Sequence, residues 1–236
     1  MSQETVTDFA EDVVIEDCVV KSTVQDLEIP NVDFARFLKN AWREEPDMTA
    51  IIDAATGKRY TGKDLEESCE RIAAGLQGLG LEPGDMMAFV SANSVDLVQA
   101  FSAAIFAGGK IVPVKTGFNE REMTRLLKMT NPSLVYCDMA NAEKTKEVCK
   151  NVPSVKAMVV AGEYDGMVSF TKLKDTPRSQ FNAPAPADPE DVLLVFQTSG
   201  STGLPKAGLI SHRNFISELV TFRYRRQSQD WNRASL

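Results

Sequence analysis

"DVLLVFQTSGSTGLPKAGLISHRNF", residues 191–215, runs from an apolar stretch into six consecutive Ser, Thr or Gly residues, Thr198 to Gly203, then Pro205 and Lys206. An apolar run of this length reads as a buried strand, and the polar segment leaves its carboxyl end. Glycine lets a backbone take positive φ and approach a ligand closely. Successive amide N–H groups can form an anion nest. Thr198, Ser199, Ser201 and Thr202 add hydroxyl donors, Gly200 and Gly203 add freedom, and Lys206 adds a positive charge behind the stiffening Pro205. The segment predicts a phosphate-holding loop between a strand and a helix that begins near "SHRNF". A flexible Ser/Gly linker would require neither the preceding strand nor the ordered Pro205-Lys206 pair.

Two common phosphate motifs fail on spacing. Walker A needs G-x-x-x-x-G-K-[ST], whereas Gly200 is followed five residues later by Pro205 and Gly203 by Gly208. The dinucleotide G-x-G-x-x-G is absent from the loop. Its nearest imitation, "GLGLEPG" at 78–84, follows an apolar-periodic helix and reads as a helix stop.

Working outward, the chain alternates between helical and strand patterns. "DFARFLKNAWREEP" predicts a helix ending at Pro46, and "TAIIDAATGKRY" a short strand and turn. Thr61 with Asp64 resembles a capping box opening "GKDLEESCERIAAGLQG". "MMAFV", "KIVPV", "SLVYC" and "VKAMVVAG" read as strands, with Pro113 arguing against a mid-sheet hydrogen-bonding position. Between them, Asn93 or Ser94 starts one helix, Asn119 with Glu122 caps a second that stops at Asn131-Pro132, and "AEKTKEVCKNV" supplies a third. Residues 162–190 read as a surface excursion, and "DVLLVFQ" as the last strand. Strands separated by helices mean βαβ units, so the expected fold is α/β, a mostly parallel sheet with flanking helices.

Charge and composition bound the function. The net charge of −7 over 236 residues is concentrated at the start, where residues 1–30 hold eight acidic residues against Lys21 alone. The remainder is neutral, which argues against a nucleic-acid-binding domain. Cys18, Cys69, Cys137 and Cys149 are scattered and His212 is the single histidine, so no metal site is expected; the thiols read as buried and inert. His212 reads as a capping or packing residue. The pairs Glu44-Glu45 and Glu66-Glu67 read as solvated charges. No apolar run is long enough for a membrane span, and the start lacks the features of a signal peptide. An intracellular, cytoplasmic protein is expected; the terminal "RASL" is not the S-K-L peroxisomal signal, which a longer form could carry. The expected organisation is an acidic, flexible leader at 1–30, a domain at 31–222 and a basic, exposed tail at 223–236.

The string T-S-G-S-T-G-L-P-K-A-G resembles the phosphate loop of the AMP-forming adenylating enzymes, among them acyl-CoA synthetases, coumarate–CoA ligases and beetle luciferases. "RYTGKDLEESCERIAAGLQGLGLEPGDMMAFVSANSVDLVQAFSAAIFAGGKIVPV" and "NEREMTRLLKMTNPSLVYCD" are similar to the first sheet region of those enzymes, so the resemblance covers about residues 33–222. It implies the N-terminal part of an AMP-binding domain. It also implies a two-step reaction: a carboxylate attacks the α-phosphate of Mg·ATP, releasing pyrophosphate, and the thiol of CoA then takes the acyl group. ATP, Mg2+ and CoA are thus the implied cofactor set, with a small-molecule carboxylic acid and a nucleotide as partners. Thr198, Ser199, Gly200, Ser201, Thr202 and Gly203 would cradle the β and γ phosphates, with Lys206 assisting. Ala207 departs from the glycine usual after that lysine.

Later family features, a Y-G-x-T-E-like segment, a T-G-D aspartate, an arginine beyond it and a lysine-bearing mobile domain, do not occur in these 236 residues; no Thr-Gly pair here continues to Asp. No catalytic residue is therefore assigned, and the expectation is a truncated isoform or fragment that is inactive alone. The alternative is a non-catalytic module that regulates or associates with a full-length homologue.

Overall fold

The structure is a computed structural model that describes residues 13–17, 19–22, 26–198 and 206–228. It divides into two compact units, residues 30–217 and residues 1–29 with 218–236. In the smaller unit, β1 (Val13–Glu16) pairs antiparallel with β2 (Val19–Ser22), Val13 opposite Ser22. The β-branched residues of the acidic leader support this pairing, and Asp17 takes the left-handed φ of 51° at the turn, a conformation that Asp tolerates. The sequence reading did not anticipate this hairpin. Residues 1–12, Cys18 and the tail beyond Ser228 lie outside the described residues.

The larger unit opens with α1 (Phe34–Glu44), whose N-cap Asp33 accepts from the Arg36 amide. A hairpin of β3 (Thr49–Ile52) and β4 (Arg59–Thr61) leads into α2 (Gly62–Gly78), and Thr61 and Asp64 complete the expected capping box. Then follow β5 (Met86–Val90), α3 (Val95–Phe106) capped by Ser94, β6 (Lys110–Pro113) and α4 (Glu120–Thr130). Asn119 and Glu122 form the second capping box, and α4 stops at Asn131, in the left-handed region at φ 50° just before Pro132. The chain continues through β7 (Leu134–Asp138), α5 (Ala142–Cys149), β8 (Ala157–Ala161), β9 (Val168–Ser169), α6 (Phe170–Lys174), β10 (Val192–Thr198), β11 (Lys206–Ser211) and α7 (His212–Ser228).

Seven strands form one sheet in the order β11-β10-β6-β5-β7-β8-β9, parallel throughout except for β11. The chain moves from β5 outward to β6, then crosses back to β7 and onward. This is the reversal of strand order at which doubly wound sheets open a crevice. Both faces are covered, as the continuous apolar strands require. On one face Ala88, Val90, Val112, Val135, Cys137 and Val160 pack with Met123, Leu126 and Leu127 of α4 and Val148 of α5. On the other, Phe89 meets Phe101 of α3 at 4.4 Å between ring centroids, and Tyr136 meets Phe170 of α6 at 5.3 Å.

Four expectations are corrected. "DVLLVFQ" is not the last strand: β11 returns antiparallel along β10 and forms the sheet edge, so the loop joins two strands rather than a strand and a helix. β6 lies inside the sheet despite Pro113, because Pro113 is its last residue and the β5 side is served by the next amide, Val114 N donating to Phe89 O at 2.8 Å. The 162–190 excursion is only partly superficial, since Phe170 and Leu173 of α6 are buried. Glu66 is not a solvated charge; it is buried, with its carboxylate held by Arg43 of α1.

Candidate functional site at the carboxyl edge of the sheet

Leu193, Leu194 and Val195 are buried and hold β10 in the sheet, while Phe196 and Thr198 beyond them are exposed. Leu194 is level with Ile111 of β6. β10 therefore runs past the end of β6, and its continuation leaves from the carboxyl edge, where open α/β sheets bind ligands. At the mouth of the hairpin Thr198 pairs with Lys206. These two of the seven candidate loop residues are described; Ser199, Gly200, Ser201, Thr202 and Gly203 lie outside the described residues. Lys206 opens β11 and is exposed, so its charge stands at the loop's exit. α7 begins only at the opposite end of β11, so its positive N-terminus is not available to the loop.

Beside this hairpin the same edge carries a cleft of about 660 Å³, outside β5 and β6, that sequence reasoning missed. Ser91 and Asn93 form one wall and Lys115, Thr116, Gly117 and Phe118 the other. Its loops are tied down by the next βα unit. Asp138, at the end of β7, accepts from the Ala92 amide at 2.8 Å through Oδ2 and from the Asn141 amide at 3.0 Å through Oδ1. Lys144 of α5 donates to the Thr116 carbonyl at 2.6 Å and the Phe118 carbonyl at 3.0 Å. The available signal was positional: "SAN" and "KTG" are the small polar segments that follow the two strands at the reversal point.

The edge offers hydroxyls, backbone and cations, and no activated nucleophile among the described residues. Cys69, Cys137 and Cys149 are buried, and burial pushes each thiol up to about 12. His212 lies at the far end of β11; burial holds its imidazole below the ordinary range. No group of three His, Cys, Asp or Glu side chains able to hold a metal occurs among the described residues. Nor is any described helix long and apolar enough to cross a membrane.

Comparison with known proteins agrees with this geometry. The sequence model of a family described as "AMP-binding enzyme" matches residues 38–235. The 4-coumarate–CoA ligase 4 of Arabidopsis thaliana is 26% identical over 217 residues, covering 86% of this chain and 38% of the ligase. The 4-coumarate–CoA ligase 3 of Oryza sativa subsp. japonica is 27% identical over 212 residues, covering 89% and 37%. Among solved structures, the luciferase-like enzyme from the nonluminescent mealworm Zophobas morio superposes with a TM-score of 0.77 at 25% identity, over 85% of this chain and 47% of that one. A long-chain-fatty-acid–CoA ligase from Archaeoglobus fulgidus reaches the same TM-score of 0.77 at 22% identity, a likeness of fold, over 86% and 41%. The chain thus spans 37–38% of the length of these curated relatives.

Proposed function

Because the chain belongs to the AMP-binding enzyme family, we propose that it supplies the phosphate-holding side of an AMP-forming acid–thiol ligase. The reaction joins a carboxylate to the α-phosphate of ATP, with loss of pyrophosphate, and then exchanges AMP for the thiol of CoA. The observation that carries this reading is the position of the hydroxyl- and glycine-rich loop, which closes the β10–β11 hairpin at the ligand-binding edge with Lys206 opposite Thr198.

In this reading Thr198, Ser199, Gly200, Ser201, Thr202 and Gly203 surround the β and γ phosphates and Lys206 offsets part of their charge. Their task is positioning and electrostatic stabilisation of a leaving pyrophosphate, with no proton transfer. Mg2+, if bound with the triphosphate, would supply neutralisation of its charge; no group of three His, Cys, Asp or Glu able to hold it occurs among the described residues. The cleft walled by Lys115, Thr116 and Ser91 is the adjoining concave surface for a phosphate-bearing substrate. The substrate is a small-molecule carboxylic acid; the two curated relatives named above are ligases of 4-coumarate by name.

The 236 residues by themselves are proposed to bind nucleotide without efficient turnover. Groups that act as a unit lose most of their effect when only some are present. The test is equilibrium binding of MgATP and pyrophosphate, followed by pyrophosphate release with a panel of acids and CoA. Saturable binding with turnover far below about 1 s⁻¹ is the expected result. Absence of binding at millimolar nucleotide would overturn the phosphate-holding role, and turnover near that rate would overturn the claim of inactivity.

A further inference from the structure

At the opposite, amino edge of the sheet lies a cavity of about 130 Å³, between the start of α1, the end of α3 and residues 183–187, with Asp33 and His212 in its wall. Both residues are more than nine-tenths buried. Oδ1 of Asp33 accepts from the Arg36 amide and caps α1, but its Oδ2 is buried with no partner. Such an acceptor is costly to leave unsatisfied. His212 Nδ1 accepts from the Phe34 amide at 3.0 Å. Nδ1 therefore carries no proton, and the neutral ring holds its proton on Nε2.

His212 also directly follows β11, as the first residue of α7. Its own amide donates to the Asp191 carbonyl at 3.1 Å, and the Arg213 amide donates to the Pro189 carbonyl at 2.8 Å. Of these three ties, only the one through Nδ1 can be undone by a proton. The groups that act on the imidazole oppose one another: burial and Lys110 disfavour the charged ring, while Asp33 and Asp191 favour it. Arg36 and Lys39 share the cavity wall, and the Lys39 ammonium is already engaged by Glu70.

We propose that His212 is a proton-operated latch and a positioning residue for the hairpin that carries the phosphate loop. Neutral, it holds the end of β11 against the first turn of α1. Protonated by solvent, Nδ1 becomes a donor, the Phe34 amide loses its acceptor, and the imidazolium turns to the unpaired Oδ2 of Asp33. β11 is an edge strand paired on one side only. Release at His212 therefore loosens the register that places Lys206 opposite Thr198, and acid weakens phosphate binding. This last step rests on the proposed function; the latch itself does not.

His212 is the only histidine of the 236 residues, so a single imidazole signal reports its titration by NMR. In the wild type the ring should titrate on the acid side of about 6.5. The protection factor of the Phe34 amide should fall at least about tenfold through the same midpoint. His212→Asn keeps an acceptor near the Nδ1 position without titrating there, so its Phe34 protection should stay flat. Asp33→Asn keeps a cap and should move the imidazole midpoint further down. Phe34 protection that ignores the imidazole titration, or that falls equally in His212→Asn, would overturn the latch. MgATP affinity should weaken severalfold through the same midpoint in the wild type only; an unchanged affinity would overturn the coupling to the loop. No nucleotide binding at any pH would instead count against the proposed function, and the amide measurement would still decide the latch.

Discussion

Thr198 stands directly opposite Lys206 in the antiparallel β10–β11 register, and its Oγ1 donates to the Lys206 carbonyl at 3.2 Å. The contact uses the lysine's backbone, leaving its ammonium uninvolved in holding the hairpin closed.

Lys206→Ala therefore removes charge without removing that bond. We expect about tenfold weaker binding of ATP or pyrophosphate, as for one charge-assisted hydrogen bond in a partly solvated site. The urea midpoint should be unchanged. Calorimetric titration checks the first and chemical unfolding the second; equal affinities would remove Lys206 from the site.

Glu70 is a second test, of stability. It is buried on α2, with Lys39 of α1 at 2.8 Å and Arg178 on its other oxygen. Burial opposes its ionisation, but the two cations outweigh burial and hold the carboxyl below the usual range. A lowered folded pKa stabilises above the unfolded value and is lost as pH falls through the folded one, so this contribution begins to decline below about pH 4. Glu70→Gln should cost about 2 kcal/mol at neutral pH, below the range for a fully buried pair because Arg178 is half in water. Urea unfolding at neutral and acid pH should show a smaller acid loss in the variant than in the wild type.

At the start of α4, the Asn119 side chain accepts from the Glu122 amide and the Glu122 carboxylate accepts from the Asn119 amide, both at 3.0 Å. Asn119→Ala should cost about 1 kcal/mol, and Asn119→Asp should retain most of it. A shift in the urea midpoint with unchanged slope would report this.

Gly62 opens α2, where a helix ordinarily gains from Gly→Ala. Here a Cβ would lie 2.7 Å from the Trp42 carbonyl oxygen, a backbone atom of α1. Gly62→Ala should thus destabilise, by about 1–2 kcal/mol, reversing the usual sign. A raised melting temperature would contradict the close approach of α1 and α2.

The caps at Thr61, Ser94 and Asn119 were legible because a cap is local: side chain and amide lie within three residues of each other. The parallel direction of β5 to β8 followed from the alternation of strands and helices, but their order in the sheet did not. β11 was not legible, since "KAGLIS" has a glycine, a lysine and too little alternation, and it becomes a strand only through β10. The partners of Glu66 and Glu70 were hidden likewise, because position on α2 does not say that α1 will present Arg43 and Lys39 there. At the candidate site, the loop's residue order was legible and led to the family. The Ser91–Phe118 cleft was not, because it exists only where two strands lie side by side.

The β10–β6 pairing has a kinetic consequence. β5 and β6 are joined by α3, β7 and β8 by α5, and β8 and β9 by a short loop, but Leu194 meets Ile111 only after α4, β7, α5, β8, β9 and α6 have been traversed in sequence. Contacts of such high sequence separation form late, since loop closure must precede any return from them. During synthesis β5 to β9 can therefore assemble on their own, leaving β6 with an open edge that β10 later fills. The hairpin that bears the loop thus joins the sheet after β5 to β9, and substitutions in β10 should speed unfolding more than they slow folding.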